Sequence, residues 1–225
     1  MTKRVCIVHG WDFNPGMHWY PWLKKELENK GFAVLVPEMP HTSEPRIHAW
    51  VSHLKKVVGT LDVDTSFIGH SIGCQTIMRF LEKEDYKGNI GKVIFVAGWF
   101  TLRNLEDEEV QKIAHPWINT PIKFNKVKEK IQHLTVFLSS NDPYNCLEEN
   151  KEIFEKKLHA KVTLLKNKGH FTEEDGVRKL PEVLNELSGM NKLKTILVDA
   201  VDAFVIVRNG SFKIFKEMHD LLEKF

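Results

Sequence analysis

Apolar residues along this chain follow two rhythms. Short continuous runs at 5–8, 32–36, 66–68, 93–97, 134–138 and 162–165 are rich in β-branched and aromatic side chains and predict strands. Between them, apolar positions recur with helical spacing over 19–29, 44–58, 72–81, 147–158 and 181–187. Pro21 and Pro181 stand in first turns, where a missing N–H is tolerated. Strands that are apolar at nearly every position are covered on both faces. Their alternation with helices predicts an α/β fold with a mostly parallel central sheet and helices on both sides. In such sheets ligands sit beyond the C-terminal strand ends. The loops that follow strands are therefore where chemistry is expected.

One stretch breaks the rhythm. Residues 98–130 form a long insertion with Trp99, Phe100, an acidic run at 106–109, and Trp117 between Pro116 and Pro121. It reads equally as an ordinary crossover and as a cap over the strand ends. In the second reading Trp99, Phe100 and Trp117 are the candidate walls of a substrate pocket.

The strongest chemical signal is Gly69-His70-Ser71-Ile72-Gly73, a G-x-S-x-G pattern. By itself it is weak, since chance yields one match in roughly fifteen chains of this length. Its context is specific, because a predicted strand precedes it and a predicted helix follows. That arrangement is a nucleophile elbow, with the Ser71 hydroxyl raised above the sheet at a helix N-terminus. The amide of Ile72 is then a candidate oxyanion donor. His170 follows the strand at 162–165, and Asp142 follows the strand at 134–138. The chain order Ser71, Asp142, His170 is that of an α/β-hydrolase triad of nucleophile, acid and base. Read singly, His170 is a loop residue and Asp142 a turn-former before Pro143. Read together, they favour catalysis. His9-Gly10-Trp11 follows the first strand, and the amide of Trp11 is the candidate second oxyanion donor. His9 and His70 flank this region and are given supporting roles. Cys74, one turn into the helix, is a poorer nucleophile candidate and reads as packed against the sheet.

Composition removes several alternatives. Apolar residues make up 42% and charged residues 28% of 225, which suits a globular domain rather than a disordered chain. Lys+Arg 32 against Asp+Glu 30 leaves a net charge of +2, too little to suggest a nucleic-acid partner. No apolar run approaches the roughly twenty residues of a membrane span, and the N-terminal one is too short for a signal peptide, so a cytoplasmic protein is expected. Cys6, Cys74 and Cys146 form no paired framework, and reduced thiols are expected. The eleven histidines show no metal-ligand spacing, so neither a metal nor another cofactor is expected.

Taken as a set, these residues resemble a known family. His9-Gly10-Trp11, the stretches 18–23 and 37–40, Gly69 to Gly73, Asn141-Asp142-Pro143 and Gly169-His170-Phe171 are similar to small α/β-hydrolases of the retinoblastoma-binding-protein-nine type. The resemblance covers the first 189 residues. It implies a compact serine hydrolase acting on small acyl esters through an acyl-enzyme, with Ser71, Asp142 and His170 as its triad. Amide or aminoacyl-ester cleavage is a second implied activity. The loop at 11–16 and the stretch 106–121 vary among such proteins. A non-catalytic binding module on the same scaffold is the competing reading; the intact Ser, Asp and His set argues against it.

A hydrolase of this type ends near residue 189, which divides the chain into a hydrolase domain, 1–189, and an extension, 190–225. The extension reads as a strand at 195–199 ending in Asp199, a hairpin turned by Asn209-Gly210, and a helix at 216–224. It is weakly similar to the opening of a haloacid-dehalogenase-type phosphatase, as a relic or truncated second domain. Val201 stands where that pattern needs a second aspartate, so phosphatase activity is not expected. A lone hairpin of this size is marginal, and the tail is expected to support a homodimer by strand pairing.

Overall fold

The computed structural model describes residues 2–105 and 107–189. The expected extension elements, Asp199 and the tail-mediated dimer lie outside the described residues. The chain divides after Leu184 into two units, and the fold is that of the first.

The predicted strands assemble into one sheet. Its members are β1 (Arg4–Val8), β2 (Ala33–Leu35), β3 (Thr65–His70), β4 (Val93–Val96), β5 (Leu134–Ser139) and β6 (Lys161–Leu165). Their order is β2-β1-β3-β4-β5-β6, and all pairs are parallel. The four inner strands are buried along almost their whole length, as the apolar runs of β1, β4 and most of β5 require; β3 is equally buried although only Phe67 and Ile68 of its six residues carry apolar side chains. The edge strands β2 and β6 are partly exposed.

The helices are α1 (Tyr20–Asn29), α2 (Ile47–Val58), α3 (Ile72–Lys83), α4 (Glu108–Asn119), α5 (Phe124–Lys128), α6 (Leu147–Leu158) and α7 (Pro181–Ser188). From β1 the chain steps outward to β2, then returns past β1 to β3 and continues in the other direction. Right-handed crossovers place α1 on one face and α2, α3, α5 and α6 on the other. The contacts α2 with α3, α3 with α5 and α5 with α6 follow from that. The reversal leaves a crevice beyond the C-terminal ends of β1 and β3, where doubly wound sheets bind ligands.

Helix α2 starts at Ile47, not at residue 44. Pro45 disfavours helical geometry at Glu44, and Arg46 is extended with ψ 129°. The insertion holds two helices that its pattern did not announce. Asp107 caps α4 by accepting from the amides of Glu109 and Val110, and Glu108 and Glu109 meet the dipole in the first turn. Pro116 lies inside α4 and masks the periodicity. Among the described residues no helix is long and apolar enough to cross a membrane.

Candidate active site

Ser71 joins β3 to α3 in a conformation that L-residues rarely adopt, with φ 53° and ψ −122°. It is held there from several sides. Its amide donates to Val96 O at 2.9 Å, and its carbonyl accepts from Cys74 N at 3.0 Å. The flanking glycines explain the motif. A Cβ at Gly73 would run into Val8 O and stand 2.7 Å from His9 O, and one at Gly69 would lie 2.8 Å from the Cys74 backbone. The strand can pass under the helix N-terminus only with hydrogen at both positions. Gly73→Ala is therefore expected to lower stability by at least about 2 kcal/mol, read as a reduced urea midpoint. An unchanged midpoint would contradict the close approach of α3 to β1.

His170 and Asp142 come from the loops after β6 and β5. His170 Nδ1 donates to Asp142 Oδ2 at 2.8 Å, with the Asp142 side chain 1% exposed and the His170 side chain 11%. Asp142 Oδ1 accepts from the Tyr144 amide at 3.0 Å. The two loops are laced together. Ser139 Oγ donates to Asn141 Oδ1 and accepts from the Lys168 amide, while Asn141 Oδ1 also accepts from the Gly169 amide. Gly169 has φ 51°, and a Cβ there would overlap the Asp175 carboxylate. That carboxylate takes the amides of His170 at 2.8 Å and Thr172 at 3.2 Å.

With Nδ1 engaged by Asp142, His170 turns Nε2 away from the acid. His170 and Ser71 line the same cleft. Ser71 Oγ accepts from Trp99 Nε1 at 3.3 Å, which leaves its own proton free to donate. No hydrogen bond joins Ser71 to His170 among the described residues, a spacing common before substrate arrives. The amides of Trp11 and Ile72 have no protein acceptor among the described residues, as oxyanion donors require.

The flanking histidines are structural. His9 donates through Nδ1 to Gly10 O at 2.8 Å and accepts the Met39 amide on Nε2 at 3.1 Å. It fixes the loop after β1 to the one after β2. His70 donates through Nε2 to the carbonyl of His170 at 2.8 Å. Its Nδ1 is therefore an acceptor and takes the Tyr20 hydroxyl at 2.5 Å. The residue before Ser71 thus anchors the backbone of His170. His18 accepts the Glu173 amide on Nδ1 at 3.1 Å and steadies the same loop.

The cleft above Ser71 holds about 480 Å³ and is walled by Trp11, Phe13, Trp99, Leu102, Val110 and Tyr144, with Asp12 and Asp107 also lining it. Trp99, Leu102, Asn104, Leu105, Asp107 and Val110 of the insertion thus form a wall of the cleft, as the cap reading expected. The later part packs on the body, as the crossover reading expected. Of the three expected wall residues only Trp99 lines the cleft. Phe100 instead packs on Phe154 and Phe124 with ring centroids 4.7 and 5.4 Å apart. Trp117 is buried against Trp50 and donates to Pro45 O at 2.8 Å. Their aromatic character reflected core packing behind the cleft. Phe13, Leu102 and Tyr144 were missed because single apolar residues in loops carry no period, and Val110 because it sits in the first turn of α4, which the pattern did not announce.

A family model described as serine hydrolase matches residues 5–189. The chain belongs to the serine hydrolase family. YdeN of Bacillus subtilis (strain 168), named as a hydrolase, is 31% identical over 192 residues, which are 84% of this chain and 96% of YdeN. The crystal structure of the ydeN gene product matches with a TM-score of 0.76 and 29% identity, over 84% of this chain and 98% of that one. Serine hydrolase RBBP9 of Rattus norvegicus is 29% identical over 172 residues, 76% of this chain and 87% of RBBP9. The protein is a hydrolase with the α/β-hydrolase fold.

Burial sets the charge of the hydrolase's inner histidines. It lowers the pKa of His9 and His18, and it lowers that of His70 further, with His170 adding to the effect. It also raises the pKa of the Tyr20 hydroxyl and of the Cys74 thiol, which keeps Cys74 protonated. Below the ordinary histidine value of 6.5 the unfolded chain takes up protons that these folded imidazoles refuse. Stability is therefore fully present above that value and falls as the pH drops below it. Thermal midpoints should be level between about pH 7 and 8 and decline below about pH 6.5. A level profile down to about pH 5 would contradict the neutral buried imidazoles.

Proposed function

We propose that this hydrolase is a carboxylesterase that cleaves small esters through an acyl-enzyme on Ser71. The observation that carries the reading is the Asp142–His170 pair at 2.8 Å beside a strained Ser71 in one apolar cleft. His170 Nε2 takes the Ser71 proton as Oγ attacks the carbonyl carbon. The amides of Trp11 and Ile72 receive the developing oxyanion, helped by the N-terminus of α3. The tetrahedral intermediate collapses, and His170 returns the proton to the departing alkoxide. Water then repeats the sequence on the acyl-serine, releasing the acid and restoring Ser71. Asp142 holds the His170 tautomer and stabilises the imidazolium. The cleft is mostly apolar, which suits a hydrocarbon acyl group more than a charged one.

The test is hydrolysis of para-nitrophenyl esters from acetate to decanoate. Saturable turnover with a burst of nitrophenol equal to the enzyme concentration supports the acyl-enzyme. Turnover of aryl amides but not of esters would favour amidase chemistry instead. No turnover of either, with no covalent labelling, would favour a binding role.

A further inference from the structure

A second concavity of about 300 Å³ shares no lining residue with the Ser71 cleft. Its apolar walls include Phe100, Trp117, Ile122, Phe124 and Ile153. No carboxylate lines it, but Arg79 and Lys157 do. Arg79 is only 3% exposed and forms no ion pair among the described residues. Its Nε and Nη2 donate to Gln75 Oε1 at 3.3 and 2.9 Å. Nη2 also donates to Trp117 O at 2.9 Å and Thr120 O at 2.8 Å. Those two carbonyls close the C-terminal end of α4, where a cation is favoured.

Capping explains one side of the guanidinium. It does not use the Nη1 donors, which have no acceptor among the described residues. Nor does capping need a full buried charge, since neutral amides satisfy carbonyls. A buried cation without a counter-charge is costly, and burial pulls its pKa down to about 10. Glu82, three residues on along α3, acts on it electrostatically but forms no ion pair with it among the described residues. Outside, a depression bordered by Lys123, Lys126, Lys128 and Lys156 meets the cavity at Phe124 and Lys157. Lys156 is partnered by Glu152, and the other three have no ion pair among the described residues. This grouping raises the positive potential at the mouth and draws anions toward it.

We propose that this cavity binds a small amphipathic carboxylate. The carboxylate lies on Arg79, and the alkyl or aryl body packs between Phe100, Trp117 and Phe124. A monoanion balances one guanidinium, whereas a phosphate dianion would leave charge unpaired among apolar walls. The assignment does not depend on which ester the hydrolase cleaves, or on whether Ser71 is its nucleophile.

Titration calorimetry of the full chain with octanoate tests it, with 1-octanol as the uncharged control. Ile122→Trp fills the cavity without touching the Arg79 hydrogen bonds. Val110→Trp fills the Ser71 cleft instead. Octanoate is expected to bind the unaltered chain and Val110→Trp alike, and to bind Ile122→Trp about tenfold more weakly or worse; octanol should bind the unaltered chain about tenfold more weakly than octanoate. Lys157→Glu, an exposed change at the mouth, gives a reading independent of core packing: weaker octanoate with octanol unchanged. The proposal is overturned by absent octanoate binding, by equal affinity for octanol, or by a loss in Val110→Trp in place of Ile122→Trp. An octanoate affinity that Lys157→Glu leaves unaltered also counts against it.

Discussion

Ser71→Ala is expected to lower ester turnover roughly 10⁶-fold, to the residue of catalysis that binding and oxyanion donors supply alone. The loss comes from chemistry rather than folding. Alanine has the same backbone tolerance as serine at φ 53°, so the elbow is no more strained than before. The side chain makes no helix-capping bond. Besides the hydroxyl proposed to attack, the substitution removes the acceptor of the Trp99 indole N–H, a loss of about 1 kcal/mol. The variant should therefore melt within a few degrees of the unaltered protein by circular dichroism while its turnover falls to background. Turnover that survives the substitution would remove Ser71 from the mechanism, whatever the fold.

Asp142→Asn is expected to cost about 10⁴-fold in kcat with little change in KM. The reason lies in the two oxygens of Asp142. Oδ1 accepts the Tyr144 amide at 3.0 Å, and Oδ2 accepts from His170 Nδ1 at 2.8 Å. An asparagine keeps its carbonyl on the Tyr144 amide and so turns its NH₂ toward His170. Nδ1 must then accept, which moves the imidazole proton to Nε2, the atom that has to take the Ser71 proton. The site keeps its shape in the wrong tautomer. Deprotonated asparagine is not available at neutral pH, so raising the pH restores activity only through hydroxide acting as an external base. A rate that matches the unaltered enzyme near pH 7 would contradict the assigned acid.

Much of this was legible in the sequence, and the limits have physical causes. Strands β1, β4 and β5 were readable because burial on both faces makes them apolar at most positions. The β3 run stopped short at Ile68, since Gly69 and His70 continue the strand for reasons of site geometry rather than hydrophobicity. That Ser71, Asp142 and His170 meet at one end of the sheet was readable because each follows a strand, and strand order converts sequence position into spatial position. The cleft wall was not. Leu102 and Tyr144 reach it through loop paths that no periodicity encodes, Val110 reaches it from the first turn of α4, and Trp117 was misplaced because a tryptophan looks the same in a core as in a pocket. The tie from His70 to the His170 carbonyl spans 100 residues, and the link from Gln75 to the Trp99 carbonyl spans 24. Neither follows from any local pattern. Arg79 sits on α3 where its neighbours are apolar, and that charge in a buried helix was the one available hint of its network.

The most direct test of the central claim is the site of covalent labelling. The full chain is incubated with a fluorophosphonate, digested, and mapped by mass spectrometry. The account predicts one adduct per chain, on the peptide that carries Ser71, and none in Ser71→Ala. No adduct, or one on another residue such as Tyr144, would contradict it.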